Sequence, residues 1–311
     1  MYYSLSYSLI ITNLIESVNI NHCKSHTSCN CNAWQSIKTM KIETMNTNAQ
    51  RTVAVLYATK GGMGDVGKFA IALAQEQLEP ACNVRAIALS VEGESSSEGT
   101  ADIGIDNVDV EDPELKAKIE TLLASMKTDI LTIVVSNESA EEQIGDALEG
   151  VDAVITCLGN RQPSMERWCS LGTRKVISAM RGNNIRRLVS LSSMGIGDDF
   201  LKTTSITFLW SLMLSTLLRS ARNDLYALET DVRESGLDFV LVRPMGLTPS
   251  EPPQGSCDRL LSREDGGTLE FMLAKSDAAA FMLKEALDPT IHSREVTIGY
   301  LPSRSTNTTT E

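Results

Sequence analysis

The sequence predicts an α/β domain with a doubly wound parallel sheet and helices on both of its faces. From residue 51 onward, short apolar runs alternate with segments of helical periodicity, a pattern typical of parallel sheets that are covered on both sides. A glycine-rich segment separates the first apolar run from the first helical pattern. Hydrophobic residues make up 42% of the 311 residues, which is enough for a sizeable buried core.

Six apolar runs are predicted to form the strands of this sheet. In chain order they are Thr52–Ala58, Val84–Leu89, Ile130–Val135, Val151–Leu158, Arg187–Leu191 and Phe239–Val242. Each is rich in Val, Ile, Leu or Ala and has no polar alternation, as expected of strands that are buried on both faces.

Helices are predicted between these runs. Asp112 before Pro113 indicates a helix start, because Asp is a preferred N-cap and Pro suits the first helical position. Ser139 and Glu142 have the spacing of a capping box. The helix before the fifth run is predicted to end at Gly182, and a long helix from about Asn223 to Ser235 precedes the sixth run.

The chain is predicted to comprise one domain with two extensions. Residues 1–50 are rich in Tyr, Ser, Asn and Thr and are interpreted as a poorly ordered N-terminal extension. Residues 51–300 form the domain, which includes a small C-terminal substrate-side region, and residues 301–311 are a disordered polar tail. Seven scattered cysteines indicate a reducing compartment and therefore the cytoplasm. An organelle address in residues 1–50, for a plastid or a mitochondrion, is the alternative.

Charge and composition exclude several classes of partner. The net charge is −12, which disfavours nucleic acid because the phosphate backbone is itself negative. No apolar run reaches the roughly 20 residues of an integral membrane helix. Cys23, Cys29 and Cys31 lie near His22 and His26, but their spacing matches no zinc pattern, so no metal site is predicted.

The glycine-rich segment predicts a dinucleotide site. Gly62, Gly64 and Gly67 follow the GxGxxG pattern between a predicted strand and a predicted helix. Glycines there permit a tight turn and let backbone N–H groups approach a pyrophosphate at the positive end of the helix. A glycine turn without a ligand and a flavodoxin-type loop for FMN phosphate are the two alternatives.

Five blocks of sequence, in order along residues 52–281, resemble the atypical short-chain dehydrogenase/reductase family. They are Ala58-Thr59 with Gly61–Gly64, Asp146–Ile155, Ile185–Asp198, Ser235–Pro244 and Lys275–Ala280. The branch to which they are most similar holds NAD(P)H-binding proteins related to biliverdin reductase B (flavin reductase) and to NmrA-like proteins. The resemblance implies a Rossmann-type fold. The chain departs from the family at Tyr57, which replaces a glycine, and at Lys60, which is an insertion.

The motif and the resemblance together imply a set of cofactor-binding residues. They are Ala58, Thr59, Lys60, Gly61, Gly62, Met63, Gly64, Gly67, Gly159, Asn160, Arg243 and Pro244. Lys60 could bind a ribose 2′-phosphate or be solvated, whereas Glu92 could accept the ribose hydroxyls of NAD. Lys60 and the family favour NADP(H) over NAD(H).

The usual catalytic pair of the superfamily is absent, because the sequence contains no Tyr-x-x-x-Lys. Ser192 and Ser193, at the end of the fifth strand, and Tyr226 are the candidate catalytic residues. Asp224 and Glu229 either have a role at the site or lie on a solvated helix face.

The predicted function is an NAD(P)H-dependent reductase of a planar or conjugated acceptor such as a flavin, a quinone or a tetrapyrrole. The alternative is a non-catalytic NAD(P)-binding sensor or assembly factor of the NmrA-like type. The expected partners are a dinucleotide and a small planar or apolar substrate, and the expected state is a monomer or homodimer. The apolar segment Ile206–Leu218 is interpreted as a buried helix, a substrate lid or a contact surface.

Overall fold

The structure is a computed structural model. It describes residues 51–59, 62–77, 82–90, 109, 111–125, 130–159, 167–196, 219–253, 255–264 and 268–302. Several predictions lie outside these residues. They concern Lys60, Gly61, Glu92, Asn160, the segment Ile206–Leu218, the N-terminal extension, and the tail from residue 303 onward.

Eight strands form one sheet in the order β3-β2-β1-β4-β5-β6-β10-β8. They are β1 (Arg51–Ala58), β2 (Cys82–Ser90), β3 (Leu131–Val134), β4 (Ala153–Cys157), β5 (Arg187–Leu191), β6 (Asp238–Pro244), β8 (Leu260–Arg263) and β10 (Arg294–Tyr300). All neighbours are parallel except β8 and β10, which are antiparallel. The predicted α/β class is confirmed, and β8 makes the sheet mixed rather than purely parallel.

Seven helices accompany the sheet in the described residues. They are α1 (Gly62–Gln77), α2 (Pro113–Ser125), α3 (Ala140–Ala147), α4 (Trp168–Gly182), α5 (Arg219–Arg233), α6 (Ser256–Arg259) and α7 (Lys275–Leu287). Two short strands, β7 (Leu247–Thr248) and β9 (Leu273–Ala274), pair with each other beside α7. The six predicted strands are β1 to β6, and α5 begins four residues earlier than predicted.

The sheet is doubly wound because alternate residues of its strands face two separate cores. In β1, Val53, Val55 and Tyr57 pack with α1, α2 and α7 on one face. Ala54, Leu56 and Ala58 pack on the other face with α3, α4 and α5. Both sets of side chains are buried, which explains why β1 reads as a continuous apolar run.

One of the two predicted helix caps is confirmed. Oδ1 of Asp112 accepts the backbone N–H of Glu114 at 2.8 Å, directly before Pro113 opens α2. The capping box at Ser139 is wrong. Ser139 has helical dihedral angles, φ −76° and ψ −3°, and caps no backbone group with its side chain. Its hydroxyl instead accepts the Gln143 amide at 3.0 Å.

No helix in the part of the chain that the structure describes is long and apolar enough to cross a bilayer.

Candidate functional site

The candidate site lies where the winding of the sheet reverses. β1 pairs with both β2 and β4. The connection through α1 covers one face, whereas the connection through α4 covers the other. In open α/β sheets, such a switch point leaves a crevice at the carboxyl ends of the two central strands, where ligands bind. Here those ends are Ala58 and Cys157.

Glycines allow α1 to begin close against these strand ends. A Cβ atom on Gly64 would lie 2.1 Å from the carbonyl oxygen of Ala58, and one on Gly67 would lie 2.6 Å from Cβ of Tyr57. Both distances are far below van der Waals contact. Gly67 therefore has the helix-packing role of the last glycine in a dinucleotide motif. Substituting Gly64 would displace α1 from β1, so it would test packing as well as ligand binding.

The glycine segment also contacts the end of β4. A Cβ atom on Gly159 would lie 2.6 Å from Cβ and 2.7 Å from Sδ of Met63. Met63 also contacts the cores on both faces of the sheet. The structure thus brings together two parts of the predicted cofactor site, Met63 with Gly64 and Gly159, that are about a hundred residues apart in the chain. The N-terminal turn of α1 faces the same edge, where its dipole favours an anion.

Three buried charges lie beside this helix start, and they are here called the α1 charge cluster: Asp65, Lys68 and Lys275. The ammonium of Lys275 is 2.8 Å from Oδ2 of Asp65, and that of Lys68 is 3.2 Å from Oδ1. Each side chain is at most 2% exposed. Sequence reasoning missed all three, although Asp65 and Lys68 have the i, i+3 spacing of a helical ion pair.

A second buried network lies at the ends of β5 and β6 and centres on Glu229. The Ser192 hydroxyl donates to its Oε1 at 2.6 Å. Arg243 donates to both carboxylate oxygens, at 2.8 and 2.6 Å, and Arg233 donates to Oε2 at 2.7 Å. Glu229 is fully buried, so these charge-assisted bonds are what offset its desolvation.

Glu295 of β10 completes this network. It accepts from Arg233 and lies 2.5 Å from Nη2 of Arg243. Burial by itself would raise the pKa of Glu295, but the hydrogen bond from Arg233 and the charge of Arg243 outweigh burial and lower it. Arg243 is therefore held from two sides by carboxylates at the end of β6.

Asp224 links α5 to the start of α4. Its two carboxylate oxygens accept the backbone N–H groups of Cys169 and Ser170, each at 2.9 Å. These donors belong to the first turn of α4, and N–H groups of a first turn have no acceptor within their own helix. Asp224 and Glu229 are both fully buried. The alternative of a solvated helix face is therefore wrong for both.

The remaining predicted residues have different surroundings. Ser193 is half-buried, and its hydroxyl donates to the carbonyl of Met194 at 3.3 Å. Tyr226 is 52% exposed on α5. Pro244 is buried and accepts the backbone N–H of Met194 at 3.2 Å. Met194 itself packs with Met245, so a small buried apolar cluster adjoins the two serines.

The chain matches the model of a known protein family. The model of a family described as NAD(P)H-binding matches residues 116–289, more than half of the chain. The match includes Ser192, Asp224, Glu229 and Arg243, whereas the glycine segment lies before it. Among the curated proteins compared, none matches this chain.

Several solved structures are similar in fold. A short-chain dehydrogenase/reductase from Veillonella parvula, in complex with NADP, is 14% identical, with 82% of this chain and 96% of that chain covered and a TM-score of 0.52. The anaerobillin reductase ChuY from Escherichia coli is 16% identical, with 81% and 98% covered and a TM-score of 0.51. A putative epimerase from Bacteroides thetaiotaomicron is 15% identical, with 82% and 99% covered and a TM-score of 0.53. At these identities the similarity shows the fold alone.

Proposed function

Because the chain belongs to the NAD(P)H-binding family and has an atypical short-chain dehydrogenase/reductase fold, we propose that it is an NAD(P)H-dependent reductase of a planar or conjugated acceptor. The proposed acceptors are flavins, quinones and tetrapyrroles. One observation supports this proposal most. The glycine positions 64, 67 and 159 let the start of α1 pack directly against the carboxyl ends of β1 and β4, at the switch point of the sheet.

The residues at this crevice fit a dinucleotide. The segment Ala58–Gly67 would hold the pyrophosphate through backbone N–H groups at the start of α1. Gly159 and Asn160 would flank a ribose, and Arg243 with Pro244 would shape the end where the nicotinamide lies. When bound, a reduced nicotinamide supplies a hydride. We favour NADP(H) over NAD(H), because Lys60 is the one cation in the glycine segment of the sequence.

The serines at the end of β5 would act in different ways. The Ser192 proton is already donated to Glu229, so toward the crevice Ser192 offers only lone pairs. It would accept a hydrogen bond, for instance from the carboxamide of the nicotinamide. Ser193 is half-buried, and within the described part of the chain its hydroxyl makes only a long bond, 3.3 Å, to a neighbouring carbonyl, so it is the better donor to an acceptor molecule. Because the chain lacks Tyr-x-x-x-Lys, solvent, Ser193 or the half-exposed Tyr226 would supply the proton.

The test begins with binding. Full-length protein is titrated with NADPH and with NADH, and nicotinamide fluorescence reports the dissociation constants. NADPH oxidation is then followed with FMN, FAD or menadione as the acceptor. Ser193→Ala and Tyr226→Phe should lower the turnover number while dinucleotide affinity is retained. Ser125→Ala, which removes an exposed hydroxyl at the end of α2, is the matched control. If the protein binds neither NADPH nor NADH, the proposal is refuted.

A second candidate is a non-catalytic NAD(P) sensor or assembly factor. The observation that favours it is Ser192, since its hydroxyl is tied to a carboxylate that two arginines already saturate. Binding of NADPH without turnover toward any of the three acceptors would favour this candidate over the reductase.

A further inference from the structure

The α1 charge cluster is buried and yet has a net positive charge. Its buried members, Asp65, Lys68 and Lys275, carry a net charge of one positive unit, and each is at most 2% exposed. Burying charge is costly unless it is paired. Helix dipoles also disfavour cations at their N-termini, yet Lys275 is the first residue of α7.

The contacts of Lys275 connect three segments. Its ammonium donates to Oδ2 of Asp65 at 2.8 Å, to the backbone carbonyl of Asp109 at 2.9 Å and to Oδ2 of Asp109 at 3.1 Å. These bonds use all three of its protons. The Asp109 side chain is 53% exposed, so water and salt screen its charge, whereas the charge of the buried cluster is screened much less.

The second lysine, Lys68, contacts the glycine segment itself. Lys68 pairs with Oδ1 of Asp65, and its ammonium also lies 3.5 Å from the backbone carbonyl of Thr59. Thr59 is the residue after β1 and is buried. The cluster therefore borders both ends of the glycine segment, the end of β1 and the first turn of α1.

We propose that Lys275 and Lys68 are positioning residues that keep this edge of α1 positive for the pyrophosphate of a dinucleotide. Without them, the carboxylate of Asp65 in the first turn of α1 would be an unpaired negative charge beside an anion site, in a chain whose net charge is −12. With both lysines present, Asp65 is over-compensated. This inference rests on the proposed dinucleotide binding and concerns the phosphates that NADH and NADPH share.

The test compares four proteins by equilibrium titration with NADH and NADPH. In wild type the cluster has a net charge of +1, in Lys275→Met it is neutral, in Asp65→Asn it is +2, and in the double variant it is +1 again. Lys275→Met should weaken both dinucleotides by about tenfold and to the same extent. Asp65→Asn should bind about tenfold more tightly than wild type. The double variant should return to within about threefold of wild type, because it restores the net charge of +1 and the two opposite effects cancel.

A purely structural cross-link predicts a different order. In that case Asp65→Asn and Lys275→Met would each weaken binding, and the double variant would be no better than either. That result would overturn the inference. Asp109→Asn is the matched control, because it removes a partner of Lys275 whose charge is exposed, and it should change affinity by less than about threefold. Unfolding of each apo protein in urea separates loss of stability from loss of affinity.

Two further comparisons keep the test decisive. If Lys275→Met does not fold, Asp65→Asn is compared with the double variant. In the double variant Asp65 is replaced as well, so the loss of Lys275 leaves no carboxylate without this partner. Asp65→Asn should then bind about tenfold more tightly, and equal affinity would overturn the inference. The proposed function fails separately, when wild type binds neither dinucleotide. Raising salt should leave the effect of Lys275→Met largely intact, because the cluster is buried.

Discussion

Ser192 and Glu229 form a buried hydrogen bond of 2.6 Å that joins the end of β5 to α5. Arg243 of β6 and Arg233 of α5 bind the same carboxylate. One side chain thus fixes two strand ends and a helix at the edge of the sheet where the substrate is expected.

Replacing Glu229 should destabilise the protein. Glu229→Ala removes a buried carboxylate partner of Arg243, whose side chain is 3% exposed, and leaves Glu295 as a remaining partner. Removing one member of a buried ion pair typically costs 3–5 kcal/mol, and because one partner remains we expect about 3 kcal/mol. The free energy of unfolding in urea measures it. Glu234→Ala, at an exposed glutamate next to α5, should change it by less than about 0.5 kcal/mol. Equal effects of the two would contradict the network.

Replacing Asp224 should loosen the start of α4. Asp224→Ala leaves the N–H groups of Cys169 and Ser170 without their acceptor, which we expect to cost about 2 kcal/mol of unfolding free energy. Asp224→Asn keeps one acceptor oxygen and should recover about half of it. The control is Asp231→Ala, which removes a partly exposed ion pair between the same helices and should cost less than about 1 kcal/mol.

Stability should depend on pH through Glu251. A hydrogen bond with Asp112, together with partial burial and the charges of Asp112 and Glu114, raises its pKa from 4.5 to about 7. The folded protein therefore favours protonated Glu251. The contribution of protonated Glu251 to the free energy of unfolding is fully present below the unfolded pKa of 4.5. It is lost as the pH rises through the folded pKa of about 7.

Glu251→Gln keeps a neutral hydrogen-bonding group and should remove that dependence. Urea midpoints at about pH 5 and about pH 8 should differ less in the variant than in wild type. Glu138→Gln, which replaces an exposed glutamate before α3, should leave the wild-type difference unchanged. An unchanged difference in Glu251→Gln would show that another group is responsible.

Cofactor choice should depend on Lys60. An ammonium–phosphate hydrogen bond is worth roughly 1.5–3 kcal/mol. Lys60→Ala should therefore weaken NADPH about 10- to 100-fold and leave NADH nearly unchanged. Raising salt should erode the wild-type preference, in contrast to the effect expected of Lys275→Met. Equal weakening of both cofactors would place Lys60 at the pyrophosphate, and no change would favour NAD with Glu92.

The domain should not require residues 1–50. A chain that begins at Arg51 keeps all of β1 and the hydrogen bond from Arg51 to the carbonyl of Leu287. We expect it to unfold at the same urea concentration as the full chain and to bind the dinucleotide equally well. A chain that begins at Val55 loses half of β1 and should not fold. Aggregation of the longer of these two chains would show that residues 1–50 belong to the core.

Much of the fold was predictable because strands that are buried on both faces leave a local signal. Six strands and their order along the chain follow from apolar runs, and Asp112-Pro113 marks the start of α2. Less was predictable at the edge of the sheet. β8 pairs antiparallel with β10 through exposed and half-buried residues, so its sequence lacks the continuous apolar run by which β1 to β6 were recognised.

For the candidate site, the sequence by itself predicted where the backbone could approach a phosphate, because the glycine spacing marks that segment. The structure shows that Gly64, Gly67 and Gly159 lie where a Cβ atom would clash. Only the tertiary structure decided the fate of the charged residues. Asp65 pairs with Lys275 across 210 residues of sequence, and Glu229 binds Arg243 on the next strand. From the sequence alone, a carboxylate on a helix is predicted to be solvated. Its burial is stable only when a distant segment supplies the opposite charge, and the sequence does not show which segment that is.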